Sequence, residues 1–149
     1  MKVFPFNIPK PLNENLVVQV DQGSIFYNKL HQHEEIQIAY IVGGQGKLII
    51  SDSIHPYTEG DLFVIGSNIP HLFKSMEQTD SDSQMISLFF TENTFGAHFV
   101  EIPELETIQR FFHITESGFK PLTKKAAMGR LMLKLPTASK FSRYILFLK

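Results

Sequence analysis

The sequence predicts a mainly β fold, a small antiparallel barrel or sandwich followed by α-helices, and three observations carry that reading. From Leu16 to Phe90, short apolar runs alternate with turn residues roughly every ten positions. After Thr91 the apolar spacing lengthens from the period of a strand to that of a helix. Between the two ends of the segment His31–His71 lies a string of such runs, with imidazoles at both ends.

The elements follow in order. Met1–Asn15 carries Pro5, Pro9 and Pro11 among Val3, Phe4, Phe6 and Ile8. Prolines at that density prevent a helix, so this is an extended arm whose apolar residues need a surface, the barrel mouth being the expected one. Leu16–Val20 and Ser24–Tyr27 read as strands around an Asp21-Gln22-Gly23 turn. Ile36–Val42 sets Ile36, Ile38, Tyr40 and Val42 on one face and Gln37, Ala39 and Ile41 on the other. Gly43-Gly44-Gln45-Gly46 turns the chain into Leu48–Ile50, and Leu62–Ile65, His71–Lys74 and Gln84–Phe90 complete the strands. Glu77–Ser83 is polar and acidic, a surface loop.

The helical part starts near Pro103 and runs through Phe112, with Leu105, Ile108 and Phe112 at helical spacing. Leu122–Leu135 places Met128, Leu131, Met132 and Leu135 together, and Pro136 ends it. Ser139–Lys149 opens a further helix with Phe141, Tyr144, Ile145 and Leu148 on one face. It reaches Lys149 without a stop signal, so the chain reads as cut within a longer protein. The expected division is a sensor barrel with its arm over 1–92 and a helical dimerisation and linker region over 93–149, packed on the barrel as one structural domain.

Composition narrows the function. The 149 residues are 43% apolar with fourteen Phe, enough for a real core and too many for disorder. The absence of cysteine excludes disulfides, thiolate metal sites and a catalytic thiol. Pro5 breaks any secretory signal, and no apolar run approaches the roughly 20 residues of a membrane span, so a cytoplasmic protein is expected. The net charge of −1 hides an asymmetry: residues 116–149 carry eight Lys or Arg against Glu116 alone, while the remainder has an excess of acid. Such a tail either faces an anionic partner or is a solvated helix surface.

The chemistry lies in the imidazoles. On an unbroken strand His31, His33, Glu35 and Gln37 share one face. His31, His33, His71 and the amide oxygen of Gln37 could together hold a divalent ion; imidazole suits Zn, Fe, Ni and Cu, and a neutral Gln is a weaker ligand than a carboxylate. Without an anionic ligand such a site keeps its full +2 charge. The opposing reading has the same residues hydrogen-bonding a polar effector directly, and a third treats them as barrel packing. Glu35 is the carboxylate placed to substitute as ligand, or else it lies at the solvent end of the barrel. Ser87, the single polar residue in Met85–Phe90, either bonds a backbone carbonyl or contacts the pocket. His55, His98 and His113 read as surface groups, and no Ser-His-Asp order, phosphate loop or acid pair stands out.

The spacing His31-x-His33-x-x-x-Gln37, with Gly44 following, resembles the first cupin motif, and Gly60 through Pro70-His71 resembles the second. Gln37 stands where cupins usually have Glu, and Ser75 where many have Asn. Gly44-Gln45-Gly46, Glu59-Gly60-Asp61-Leu62, Ile65 through His71 and Phe99–Pro103 together resemble the amino-terminal sensing domain of AraC-type transcription regulators. That resemblance covers nearly the whole chain. It implies a cupin-like barrel (a double-stranded β-helix, or jelly roll) that binds a small polar effector, a sugar by family habit, at His31, His33, Glu35, Gln37, His71 and Ser87. It also implies a homodimer through the carboxyl-terminal helices, with DNA bound only by a unit absent here, and no enzymatic activity. The cofactor to look for is a divalent metal: Zn, Ni, Fe or Mn. The competing class is a stand-alone metal-dependent cupin enzyme, a dioxygenase or isomerase.

Overall fold

The computed structural model describes residues 2–11, 14–23, 26, 29–76 and 82–149. Two sheets face each other. One has the order β1 (Phe4–Pro5), β3 (His31–Gln32), β8 (His71–Ser75), β5 (Gly46–Ile50) and β6 (Ser53–Tyr57). The other has the order β2 (Val17–Gly23), β9 (Ser83–Phe90), β4 (Ile36–Gly43) and β7 (Leu62–Ile65). Pairing is antiparallel throughout, apart from the short parallel contact of β1 with β3.

The alternation in β4 feeds two of the three apolar clusters among the described residues. Ala39 and Ile41 point between the sheets, where they meet Leu48, Phe63, Ile65, Phe73 and Met85. Ile36 and Ile38 point the other way and join Leu62, Val64, Ile86, Leu88 and Phe90 on the outer face of the four-stranded sheet. That outer face is apolar because helices cover it: α1 (Glu106–Thr115) contributes Phe112, and Met132 of α2 (Lys125–Lys134) with the following Leu135 joins the same cluster. Burying each such side chain is worth about 1.5–3 kcal/mol, so the helices are held by the same term that holds the sheets together.

Polar clamps fix the helical part. Asp61, at the entrance to β7, receives the Thr58 amide at 2.9 Å, the Lys125 ammonium at 2.8 Å and Lys120 at 3.5 Å. Burial pushes its carboxyl up, but the Lys125 and Thr58 hydrogen bonds and the two lysine charges outweigh that and hold it below the usual carboxylate range. Arg143 of α3 (Lys140–Leu148) donates to the Leu135 carbonyl and lies 3.6 Å from Glu14. Part of the basic tail is therefore spent on tying the helices to the acidic body. Ser139 caps α3, its hydroxyl accepting from the Ser142 amide.

Several expectations are corrected. Asp21-Gln22-Gly23 is not a turn but the end of β2, paired with Ser83, Gln84 and Met85. Of the expected Ser24–Tyr27 strand, all but Phe26 falls outside the described residues, as does most of the Glu77–Ser83 loop; Ser83 itself opens β9. The strand expected to run from His31 to Gln37 is broken: His31 belongs to one sheet and Ile36 begins in the other. β6 is not among the expected strands; it is an edge strand, where a proline such as Pro56 is tolerated. α2 starts at Lys125, leaving Leu122 exposed. On α3 the packed residues are Tyr144, Leu146 and Phe147, whereas Phe141, Ile145 and Leu148 face outward. No helix among the described residues is long and apolar enough to cross a membrane.

Candidate metal centre

Three imidazoles meet at one end of the space between the sheets. His31 and His71 are register partners across β3 and β8, which sets their rings 4.4 Å apart, centroid to centroid. His33 lies in the segment where the chain leaves one sheet for the other, and its ring is 4.9 Å from that of His71 and 5.9 Å from that of His31. One ligand atom from each of the three lies within 4.8 Å of the other two, a set that could hold a metal ion.

The backbone decides which nitrogen faces inward. Each Nδ1 lies against a carbonyl: His31 against Lys29 at 2.8 Å, His33 against Glu35 at 2.8 Å, and His71 against Ile69 at 2.7 Å. A carbonyl only accepts, so each Nδ1 carries the proton and each Nε2 presents a lone pair, the arrangement that metal-binding histidines use. The Nε2 of His71 is buried with no hydrogen-bond partner. Burial holds all three rings below the ordinary histidine range against the opposing pull of the carbonyls, with His71 lowered to about 3. Neutral rings with converging lone pairs and an orphaned buried nitrogen fit a divalent cation.

Gln37 reaches the same place from β4. Its Oε1 lies 3.3 Å from the Nε2 of His33, while its amide nitrogen donates to the Ser87 hydroxyl at 2.8 Å. The Ser87 side chain is thus spent on positioning Gln37; it is fully buried and does not line the cavity. Glu35 does not line the cavity either. It is not at a solvent end but buried, with its carboxylate 3.2 Å from the Lys10 ammonium and away from the cavity wall. Its backbone carbonyl accepts from the His33 ring, and its carboxylate stands 4.0 Å from the same Nδ1.

The cavity in front of the rings has a volume of about 50 Å³. Its wall includes residues outside the expected ligand set. Phe6 and Ile8 come from the arm, which β1 lays alongside β3, and the Phe6 ring is 5.4 Å from His31. Gln19 and Asp21 come from β2, the Gln19 amide donating to both carboxylate oxygens of Asp21 at 3.0 and 3.1 Å. Burial pushes the Asp21 carboxyl up, and the Gln19 hydrogen bond only partly offsets it. Period-two spacing puts Gln19 and Asp21 on one face; a strand extended through Gly23 would have been the signal, and the Asp-Gln-Gly turn chemistry concealed it. His55, His98 and His113 lie outside the cluster; His98 and His113 pair with Glu101 and Glu116 at the surface.

Residues 16–87 match the model of the cupin domain. Among solved structures, the chain is similar to a Cupin 2 conserved barrel domain protein from Salinispora arenicola CNS-205, with 19% identity over 58% of this chain and 73% of that one, TM-score 0.45. It is also similar to a variant of the oxalate decarboxylase of Bacillus subtilis (28% identity, 71% of this chain but 30% of that one, TM-score 0.44). The DMSP lyase DddQ from Ruegeria pomeroyi DSS-3 is a further neighbour (20% identity, 54% and 40%, TM-score 0.45). No curated protein sequence matches. With its two facing sheets, the histidines of both motifs converging between them and helices following, the chain has a cupin fold.

Proposed function

We propose that this chain is the effector-sensing domain of an AraC-type regulator, in which a divalent metal held by His31, His33, His71 and Gln37 receives a small polar effector. The observation that carries the metal is the shared tautomer lock, with three Nδ1 atoms against carbonyls and the buried Nε2 of His71 left without a partner. When bound, the ion would act as a Lewis acid anchoring an oxygen ligand. Ser87 orients the Gln37 amide, and Phe6, Ile8 and Phe89 keep water from the rings.

The surroundings favour sensing. The arm supplies part of the cavity wall, so an occupant is felt by the amino terminus. β4 and β9 carry Gln37 and Ser87 on their inner face and Ile38, Leu88 and Phe90 against the helices on the other. A shift of those strands therefore reaches the helices through packed side chains. We place the homodimer contact on the outward row Phe141, Ile145 and Leu148, in the cytoplasm, with DNA contacted through a unit outside this sequence. A cavity of 50 Å³ is well below the roughly 300 Å³ or more of ordinary ligand pockets, so a sugar does not fit while the arm is in place.

The test is metal analysis followed by ligand screening. About one equivalent of Zn, Ni, Fe or Mn after reconstitution, lost in His71→Ala, supports the centre; less than a tenth of an equivalent in the wild type removes it. Asp21 favours a second reading, a metal-dependent enzyme, since it places a half-buried acid in the same cavity. Oxygen uptake or isomerisation that needs Fe(II) or Mn(II) and is lost in Asp21→Asn would establish that reading instead.

A further inference from the structure

We infer that the occupant of the metal site is a small monoanion with an oxygen donor, a carboxylate the size of formate or acetate. This rests on the metal reading above and specifies its ligand. His31, His33 and His71 would bind through neutral nitrogens, and Gln37, where a Glu would bring a negative charge, brings an amide oxygen. Four neutral donors leave the ion with its whole +2 in a cavity walled by Phe6, Ile8, Phe26, Phe73, Met85 and Phe89. Uncompensated charge in such surroundings is costly.

The remaining charges set the valence. Asp21 is the one carboxylate among the described lining residues, and the charge of Glu35, whose other oxygen stands 4.0 Å from the Nδ1 of His33, is matched by Lys10 at 3.2 Å. Set against +2, an ionised Asp21 leaves a single positive charge, which one monoanion cancels and a dianion overshoots. The volume sets the size: about 50 Å³ admits a few non-hydrogen atoms beside an ion and excludes an aromatic acid.

Co(II)-loaded protein provides the test, because the visible d–d spectrum of the ion reports ligands entering its coordination sphere. Formate and acetate are expected to change the spectrum saturably, whereas neutral acetamide and bulky benzoate leave it unchanged. Gln37→Glu should bind Co(II) more tightly and acetate at least tenfold more weakly, and Asp21→Asn should bind acetate several-fold more tightly. A spectrum indifferent to formate and acetate in protein that has taken up one Co(II) overturns this inference and leaves the metal centre standing. Failure to take up Co(II), Zn or Mn at all overturns both. Acetate affinity unchanged in both variants, with circular dichroism showing them folded, overturns the charge argument.

Discussion

The Nε2 of His33 and the Oε1 of Gln37 face each other at 3.3 Å as two acceptors with no proton between them. The ring proton of His33 is committed to the Glu35 carbonyl, and the amide nitrogen of Gln37 donates one N–H to the Ser87 hydroxyl. A cation beside the pair resolves this opposition by drawing on both lone pairs.

Metal should therefore stabilise the fold. A ligand at 100 times its dissociation constant adds about 2.7 kcal/mol, which for a domain of this size is a rise of several degrees in Tm. Thermal unfolding with and without Zn or Mn is expected to show that rise in the wild type and to lose most of it in His33→Ala and His71→Ala. An equal rise in all three would place the metal elsewhere.

Acid should destabilise the metal-free protein before the carboxylates titrate. The folded-state pKa values of His31, His33 and His71 lie below the unfolded value of about 6.5, chiefly through burial, so the unfolded chain takes up the protons first. Their contribution is complete above pH 6.5 and is lost as pH falls below it, by about 1.4 kcal/mol per pH unit for each ring that stays neutral. Asp21, raised by burial, works in the opposite direction. Urea unfolding between pH 7.5 and 5 should show the loss, and His71→Gln should reduce the slope by about one proton.

Asp61→Asn is expected to cost about 1–3 kcal/mol, because it leaves the Lys125 and Lys120 ammonium groups without their acid while the buried amide keeps only part of the hydrogen bonding. Limited proteolysis should then cut first in the segment around Lys120–Lys125. Cleavage no faster than in the wild type would show that apolar packing alone seats α2.

Gly66→Ala should weaken the joint between barrel and helices. A Cβ at that position would overlap the Thr115 carbonyl at the end of α1 and crowd Ile69. Overpacking of this kind costs typically 1–3 kcal/mol. Denaturant unfolding monitored by circular dichroism measures it, and a variant as stable as the wild type would mean that α1 can move aside freely.

The sequence by itself determined the β-to-helix order, the inward and outward rows of β4, and the residues of both histidine motifs. These depend on local periodicity and turn chemistry, which a strand or helix carries within its own few residues. Only the tertiary structure decided that Glu35 turns to Lys10, that Ser87 serves Gln37, and that Phe6, Gln19 and Asp21 complete the cavity. Those partners are brought together by sheet pairing across long stretches of chain, and the break between β3 and β4 sends His31 and Gln37 to opposite sheets. The outward face of α3 belongs to the same category: Phe141, Tyr144, Ile145 and Leu148 share a helical stripe, but competition for the sheet surface seats Tyr144, Leu146 and Phe147 instead. A stripe tells that a helix has an apolar side; which side is buried depends on the neighbour it meets.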